Sequence, residues 1–456
     1  MTQLDIFSFN QPAPIFIDRV QRAVGQGGFH TASLTAPSDM VIVRDDGAMS
    51  VRRPDQPTLA WIYDCGSERA VELETEILDW QGGGRPMIDF LFVSHFDDDH
   101  INGIPRLLRD GDGAFVDTVV MPHVNAIDRL FAFARLQASG FETGAESAAF
   151  FRDLIVDPSA AMTRFGPRRI LFFRSGPGRD DGPDFNLDGG SGEDRPRWKL
   201  VGQDGERPKG YQLPPGPHGM QRAVVRDTAS IHVEANLSGF GWMFKPYVRP
   251  IDPKARAAFE AEAIKALGWV GKTFVAEIQK PGVLAGLVND PDKAVKMGGA
   301  YEAAVGKGNK NRTSMCIYAG PHAPTDDFSP TGGAGFALAL GLDLESFIDP
   351  RTIGWLGTGD AELKWGKWAR RFVAHYKTEI GRTLTLMLPH HGSEHNFSDT
   401  LLSLDPDFVV ASAWPKNKTW LHPHKNVVDC VEKHDIAFRH VTYAKDFQEQ
   451  FLVFIP

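Results

Sequence analysis

Short apolar runs that stop at histidine, aspartate or glycine constrain this chain more than any other feature. TLAWIYDCGS (58–67), MIDFLFVSH (87–95), VDTVVMP (116–122), NRTSMCIYAG (311–320), TIGWLGTGDAEL (352–363), LTLMLPHHGS (384–393) and DFVVASAW (407–414) read as buried strands with polar C-terminal ends. Between them lie segments of helical spacing. In ERAVELETEILDW (68–80), Val71, Leu73, Ile77 and Leu78 are expected on one side; AIDRLFAFARLQ (126–137) and PKARAAFEAEAIKALGWV (253–270) are further helices. The pattern predicts an α/β protein whose site lies at strand C-termini, where open α/β sheets place theirs.

Composition narrows the class. The 456 residues are enough for two or three domains, and 42% hydrophobic against 23% charged residues excludes wholesale disorder. Forty-nine Lys+Arg against 58 Asp+Glu give −9, which argues against a nonspecific nucleic-acid coat but not against a local basic groove. Cys65, Cys316 and Cys430 form no CxxC pair, so a disulfide framework and an all-cysteine zinc site are excluded. No apolar run approaches the ~18 residues of a membrane span and no signal-like start is present, so a soluble, cytoplasmic protein is expected.

The segment 125–308 reads as an insertion. Within it, SGPGRDDGPDFNLDGGSGEDRPR is too poor in apolar residues to pack by itself and is expected to be a mobile Gly/Pro-rich loop, while ASIHVEANLSGFGWMFKPYVRP (229–250) alternates like strands. GGAGFALALG (332–341) lacks the strand and acidic residue of a dinucleotide loop and is expected to be a flexible connection.

Ser94-His95-Phe96-Asp97-Asp98-Asp99-His100 places four candidate metal ligands, His95, Asp97, Asp99 and His100, within six residues. A helix cap would explain one or two of the aspartates but not the flanking histidines. Two metal ions ~3.5–4 Å apart need this density of donors. Asp360, in Gly357-Thr358-Gly359-Asp360, could bridge two cations with its two oxygens. In Pro389-His390-His391-Gly392-Ser393 one histidine could bind metal and the other face substrate, with Gly and Ser allowing close approach to a phosphate. His422-Pro423-His424 follows another strand end.

Together these segments resemble the metallo-β-lactamase fold, and within it the ComEC-like subgroup, the soluble hydrolase domain of bacterial DNA-uptake channels. The resemblance rests on YDCGS at 63–67, SHFDDDHING at 94–103, Asn311-Arg312-Thr313-Ser314, TGD at 358–360, HHGS at 390–393 and HP at 422–423, in that order. It covers about 55–125 and 308–456. It implies an αββα sandwich whose first half is 1–124 and second half 309–456, separated by a long mixed α/β insertion at 125–308. It further implies two divalent metal ions, one held by His95, Asp97 and a further ligand, the other by Asp99, His100 and His391, with Asp360 bridging. His123 is a candidate for the further ligand. Asp99, His390 and His422 are the implied catalytic residues; Ser393, Asn311 and Ser314 bind substrate or support the ligands. These 456 residues contain no counterpart of the membrane channel of the DNA-uptake proteins, so transport is not expected of them.

Asp97 in place of a second histidine hardens the site, so zinc is expected and manganese is compatible. Metal-activated water would attack a phosphodiester, with DNA or RNA favoured. Lys307–Arg312 and Lys364–Arg371 are candidate nucleic-acid tracks; the plainer reading of the second is an amphipathic helix whose tryptophans face the core. A hydrolase of small esters, thioesters or lactams, and a non-catalytic partner-binding module on the same fold, are the alternatives.

Overall fold

The computed structural model describes residues 14–36, 41–45, 48–52, 57–82, 86–109, 113–139, 145–176, 187–189, 195–234, 240–306, 314–322, 336–340, 347–414 and 421–454. Asn311 and the Lys307–Arg312 stretch lie outside these residues. Among the described residues the chain is mixed α/β, with two large mixed sheets and twelve α-helices.

The first sheet has eleven strands, in the order Gly210–Leu213, Gln221–Arg226, Arg169–Arg174, Phe115–Pro122, Met87–Phe92, Leu59–Tyr63, His30–Thr35, Ile15–Gln21, Phe447–Phe454, Phe336–Leu340 and Phe347–Ile348. Its middle is parallel: Leu59–Tyr63, Met87–Phe92, Phe115–Pro122, Arg169–Arg174 and Gln221–Arg226 run the same way. The second has nine, in the order Ala437–Val441, Phe408–Ser412, Thr383–Met387, Gly354–Gly357, Ser314–Pro321, Trp242–Arg249, Ser230–Glu234, Arg197–Val201 and Asp188–Gly189. The four strands from Gly354–Gly357 to Ala437–Val441 are parallel. Parallel pairing brings the polar ends of successive strands to one edge of each sheet, which is why residues far apart in sequence can meet there.

The sheets face each other across an aromatic core. Trp61 and Phe92 of the first meet Trp242 and Phe244 of the second, with ring centroids 5.4 Å apart for Trp61–Trp242 and 5.0 Å for Phe92–Phe244. Tyr63 Oη donates to the Met315 carbonyl at 2.8 Å across the same interface. Helices cover the outer faces: Ala70–Gln81, Ala126–Ser139 and Pro253–Leu267 belong to the cluster on the first sheet, Gly366–His375 and Lys425–Glu432 to that on the second.

A buried polar cluster also joins the sheets. Arg19 donates from Nε and Nη2 to Glu449, each at 2.8 Å, and from Nη1 to the Ile353 carbonyl at 2.5 Å. Thr385 Oγ1 donates to Glu449 Oε1 at 2.6 Å. Arg19 and Glu449 belong to the first sheet, Thr385 to the second, and Ile353 precedes a second-sheet strand.

Two local expectations need correction. In Ala70–Gln81, Leu73 and Ile77 are buried, whereas Val71 and Leu78 are 76% and 48% exposed. At 100° per residue Val71 and Leu78 fall opposite the other two, so the four could not share a side. FALAL within 332–341 is a strand, Phe336–Leu340, paired with Phe447–Phe454 and burying Ala337 and Ala339, rather than a connection. The segment 125–308 adds strands to both sheets. Most of the stretch expected to be a mobile Gly/Pro-rich loop, 177–186 and 190–194, lies outside the described residues; the strand Arg197–Val201, anchored by buried Trp198 and Leu200, begins where that stretch ends.

The three cysteines are unpaired. Among the described residues, no helix is long and apolar enough to cross a membrane.

Candidate metal centre

The centre grows from Asp64. This residue follows the strand Leu59–Tyr63 with φ 59°, in the left-handed region that side chains avoid at a cost of about 1–3 kcal/mol. The turn points its carboxylate at the next strand end. Asp64 Oδ1 accepts from the Ser94 backbone N–H at 2.7 Å, and Oδ2 accepts from Ser94 Oγ at 2.6 Å and from His100 Nδ1 at 2.9 Å. Ser94 Oγ has one hydrogen, already given to Asp64, so it accepts from His95 Nδ1 at 2.8 Å. His391 Nδ1 donates to the Ser412 carbonyl at 2.8 Å. Each imidazole therefore uses Nδ1 to hold its orientation and turns Nε2 inward, the arrangement that presents a lone pair to a metal.

The inward atoms converge on Asp360. Its Oδ1 lies 3.2 Å from His100 Nε2 and 3.8 Å from His391 Nε2; its Oδ2 lies 3.6 Å from both His95 Nε2 and His390 Nε2. Asp99 Oδ2 lies 3.2 Å from His391 Nε2. Two groups have ligand atoms within 4.8 Å of one another: His95, His100 and Asp360, and Asp99, His100 and His391. The Nε2 atoms of His95, His100 and His391 and Oδ1 of Asp360 are buried without a hydrogen-bond partner. Buried polar atoms are seldom left so. Three nitrogen lone pairs and carboxylate oxygens around one point fit a divalent cation. A cavity of about 40 Å³ lined by Asp64, His100, Asp360 and His391 adjoins them.

The backbone is shaped to bring these donors in. His390 and His391 both have positive φ, 49° and 58°. Gly392, φ 84°, would drive a Cβ to 2.7 Å from Pro423 Cβ, so only glycine lets the two histidine loops touch. Gly359, φ 49°, lies where a Cβ would come within 2.4 Å of Ser314 Oγ.

The electrostatics follow from this crowding. Burial opposes ionisation of Asp360 and Asp99, yet the neighbouring imidazoles outweigh it and hold both carboxyls below the usual range. Burial likewise opposes protonation of His100 and His391, but Asp360 and Asp99 raise both. The carboxylates thus gather positive charge at the centre, a role a bound cation would take over with release of protons. Burial pushes the Asp98 carboxyl up to about 7, helped by Asp99 and Asp97. His390 and His422 are both lowered by burial, His422 to about 3.

Of the expected ligands, His95, Asp99, His100, Asp360 and His391 come together. Asp97 belongs to neither group: Oδ2 is 3.3 Å from His95 Nε2, and Oδ1 accepts from Arg135 Nη2. Burial would raise its carboxyl, but Arg135 and His95 hold it well below the usual range. Arg135 is buried on the helix Ala126–Ser139 and was not anticipated; a cation within the apolar run FAFARLQ was its only signal. Asp64 was visible only as part of the YDCGS resemblance, with no role given. His123 is exposed, faces Phe172 and joins neither group.

His390 and His422 pack edge to face, centroids 5.6 Å apart, beside the centre. Ser314 Oγ accepts from the Asp360 N–H at 3.3 Å, a support for the Asp360 loop, and buried Ser393 Oγ accepts from the His395 N–H at 3.3 Å.

Replacing Asp64 with asparagine leaves the volume but weakens the grip on His100 and, through Ser94, on His95. We expect metal affinity to fall about 10–100-fold, measured by chelator-competition titration; an unchanged affinity would show that Asp64 does not orient these ligands.

No known family model matches this chain, and no curated protein matches it either.

Proposed function

We propose that the chain is a metal-dependent hydrolase of the metallo-β-lactamase αββα type that cleaves phosphodiesters. The carrying observation is the convergence of three imidazoles, each turned by its Nδ1 bond so that Nε2 faces Asp360. The two facing sheets, the helices outside them and the motifs at parallel strand ends support the same reading.

Asp99, His100 and His391 would hold one divalent ion and His95 the other, with Asp360 offering one oxygen towards each side. The mixed imidazole and carboxylate donors suit zinc and accept manganese. When bound, such ions lower the pKa of water and stabilise negative charge on a phosphoryl oxygen. Arg135 fixes the Asp97 carboxylate at the edge of the centre. His390 Nδ1 and His422 Nδ1 are buried without hydrogen-bond partners, and burial keeps both imidazoles neutral, so we read them as groups that would donate a hydrogen bond to a phosphoryl oxygen. Ser314 keeps the Asp360 loop in register.

The test pairs metal analysis with a substrate screen. Purified protein should carry zinc or manganese and, with the metal restored, should hydrolyse bis(p-nitrophenyl) phosphate in preference to a chromogenic lactam. Asp99→Ala should lose both the metal and the turnover. Hydrolysis that persists in Asp99→Ala, or preference for the lactam, would overturn the assignment.

A further inference from the structure

A second site lies away from the metal centre. A groove of about 1090 Å³ opens on the outer side of the second sheet, between the helix Gly366–His375 and the strands Arg197–Val201, Ser230–Glu234 and Trp242–Arg249. Its walls carry Lys199, Arg207, Lys245, Arg371, Lys377 and Arg382. Only Glu206, Asp227 and Glu379 oppose them, so six cations face three acids on a chain whose formal charge is −9. Two of the acids are inward members of the wall. Glu379 is buried against Lys245 Nζ at 2.8 Å, and buried Asp227 accepts from the Val248 N–H at 3.0 Å. The more exposed rim, with Lys199, Arg207, Arg371 and Lys377, is predominantly basic.

The basic surface continues along the helix. Lys364, Lys367, Arg370 and Arg371 are exposed, and Trp365 is 62% exposed, whereas Trp368 is buried beneath Arg249 and Arg371 at 4.5 and 5.0 Å. Only one of the two tryptophans therefore serves the core. The track leads to the loop that carries Asp360: Trp365 Nε1 donates to Glu362 Oε1 at 3.1 Å, and Arg249 Nη2 to Glu362 Oε2 at 2.9 Å. The ten-residue helix alone extends the charge over about 15 Å. Cations strung out in this way, with an exposed ring among them, match a polymer of phosphates carrying stackable bases; a small anion would need them to converge.

We propose that this groove and the basic face of the helix bind the backbone of a single-stranded nucleic acid and direct it to the metal centre. The inference rests on the phosphodiester reading and names its substrate class. An unpaired base can stack on Trp365, which a base inside a duplex cannot, so single strands are bound in preference to duplexes.

Binding is tested apart from hydrolysis, with the full chain carrying Asp99→Ala, in EDTA, by fluorescence anisotropy of a labelled single strand of about 12 nucleotides. Three or four neutralised phosphates give a slope of log affinity against log salt of about −2 to −3, at ~0.7 per phosphate. Adding Arg371→Glu and Lys377→Glu should weaken binding at least about tenfold near 100 mM salt and flatten that slope by about 1.4. Lys265→Glu, on a helix of the first-sheet cluster, should change neither. Matching thermal midpoints show that the reversals have not unfolded the chain, and Arg371→Gln with Lys377→Gln supplies a milder pair. Absence of salt-dependent binding, equal binding of duplex, or affinity and slope untouched by the reversals would overturn the proposal. Strand binding by a chain that, with wild-type Asp99 and metal restored, hydrolyses no phosphodiester would leave the groove standing and sink the hydrolase reading instead.

Discussion

His100→Ala should reduce turnover of a phosphodiester by at least about a thousandfold, the equivalent of ~4 kcal/mol of transition-state stabilisation. His100 is the one residue common to both groups of converging donors, and its other nitrogen anchors it to Asp64. Its loss removes a ligand from each group and leaves the Asp64 and Asp360 carboxylates without the imidazole between them. Metal content should fall in parallel, because neither group then keeps three donors. A thermal midpoint close to the parent's shows that the fold persists. A variant that retains metal and turns over within about tenfold of the parent would refute the assignment of His100 as a metal ligand.

Arg19→Met should be the most destabilising single substitution of those considered, costing about 3–5 kcal/mol, because it strands the buried Glu449 carboxylate. The side chains of Arg19 and Glu449 are 0% and 2% exposed, so no water replaces the lost partner. The damage extends across the sandwich, since Arg19 also satisfies the Ile353 carbonyl and Glu449 accepts from Thr385. Removing both charges, as Arg19→Met with Glu449→Leu, should recover much of the loss, since a well-packed apolar pair can match a buried ion pair. Guanidinium unfolding midpoints of the two single variants and the double variant form the required cycle. Additive losses in the double variant would show that the pair is not coupled.

Much of the centre was legible because strand ends announce themselves. An apolar run followed by His, Asp or Gly needs no tertiary information, and His95, Asp99, His100, Asp360 and His391 were all read this way. The residues that orient them were harder to see. Asp64 acts through a left-handed turn and two hydrogen bonds to Ser94, and Ser412 acts through a carbonyl, which has no sequence signature at all. Arg135 reaches the centre only because its helix packs beside the first sheet, a matter of tertiary packing that helical periodicity does not encode. The same limit hid the architecture of 125–308. Strand pairing joins its segments to both sheets, and a segment dense in Gly and Pro gives no local sign of its partner. For Phe336–Leu340, alternating alanines were too small to stand out, yet both are buried against a neighbour more than a hundred residues away.

The placement of Phe447–Phe454 between Ile15–Gln21 and Phe336–Leu340 sets an order of assembly. Arg19 and Glu449 are 430 residues apart, so during translation at roughly 5–20 residues per second the first strand waits on the order of 20–90 s for its neighbour. Throughout that interval an apolar strand margin is open to any other extended peptide. Newly made chains should therefore depend on a holding chaperone, and chains interrupted before residue 447 should accumulate as aggregates rather than as a smaller folded species.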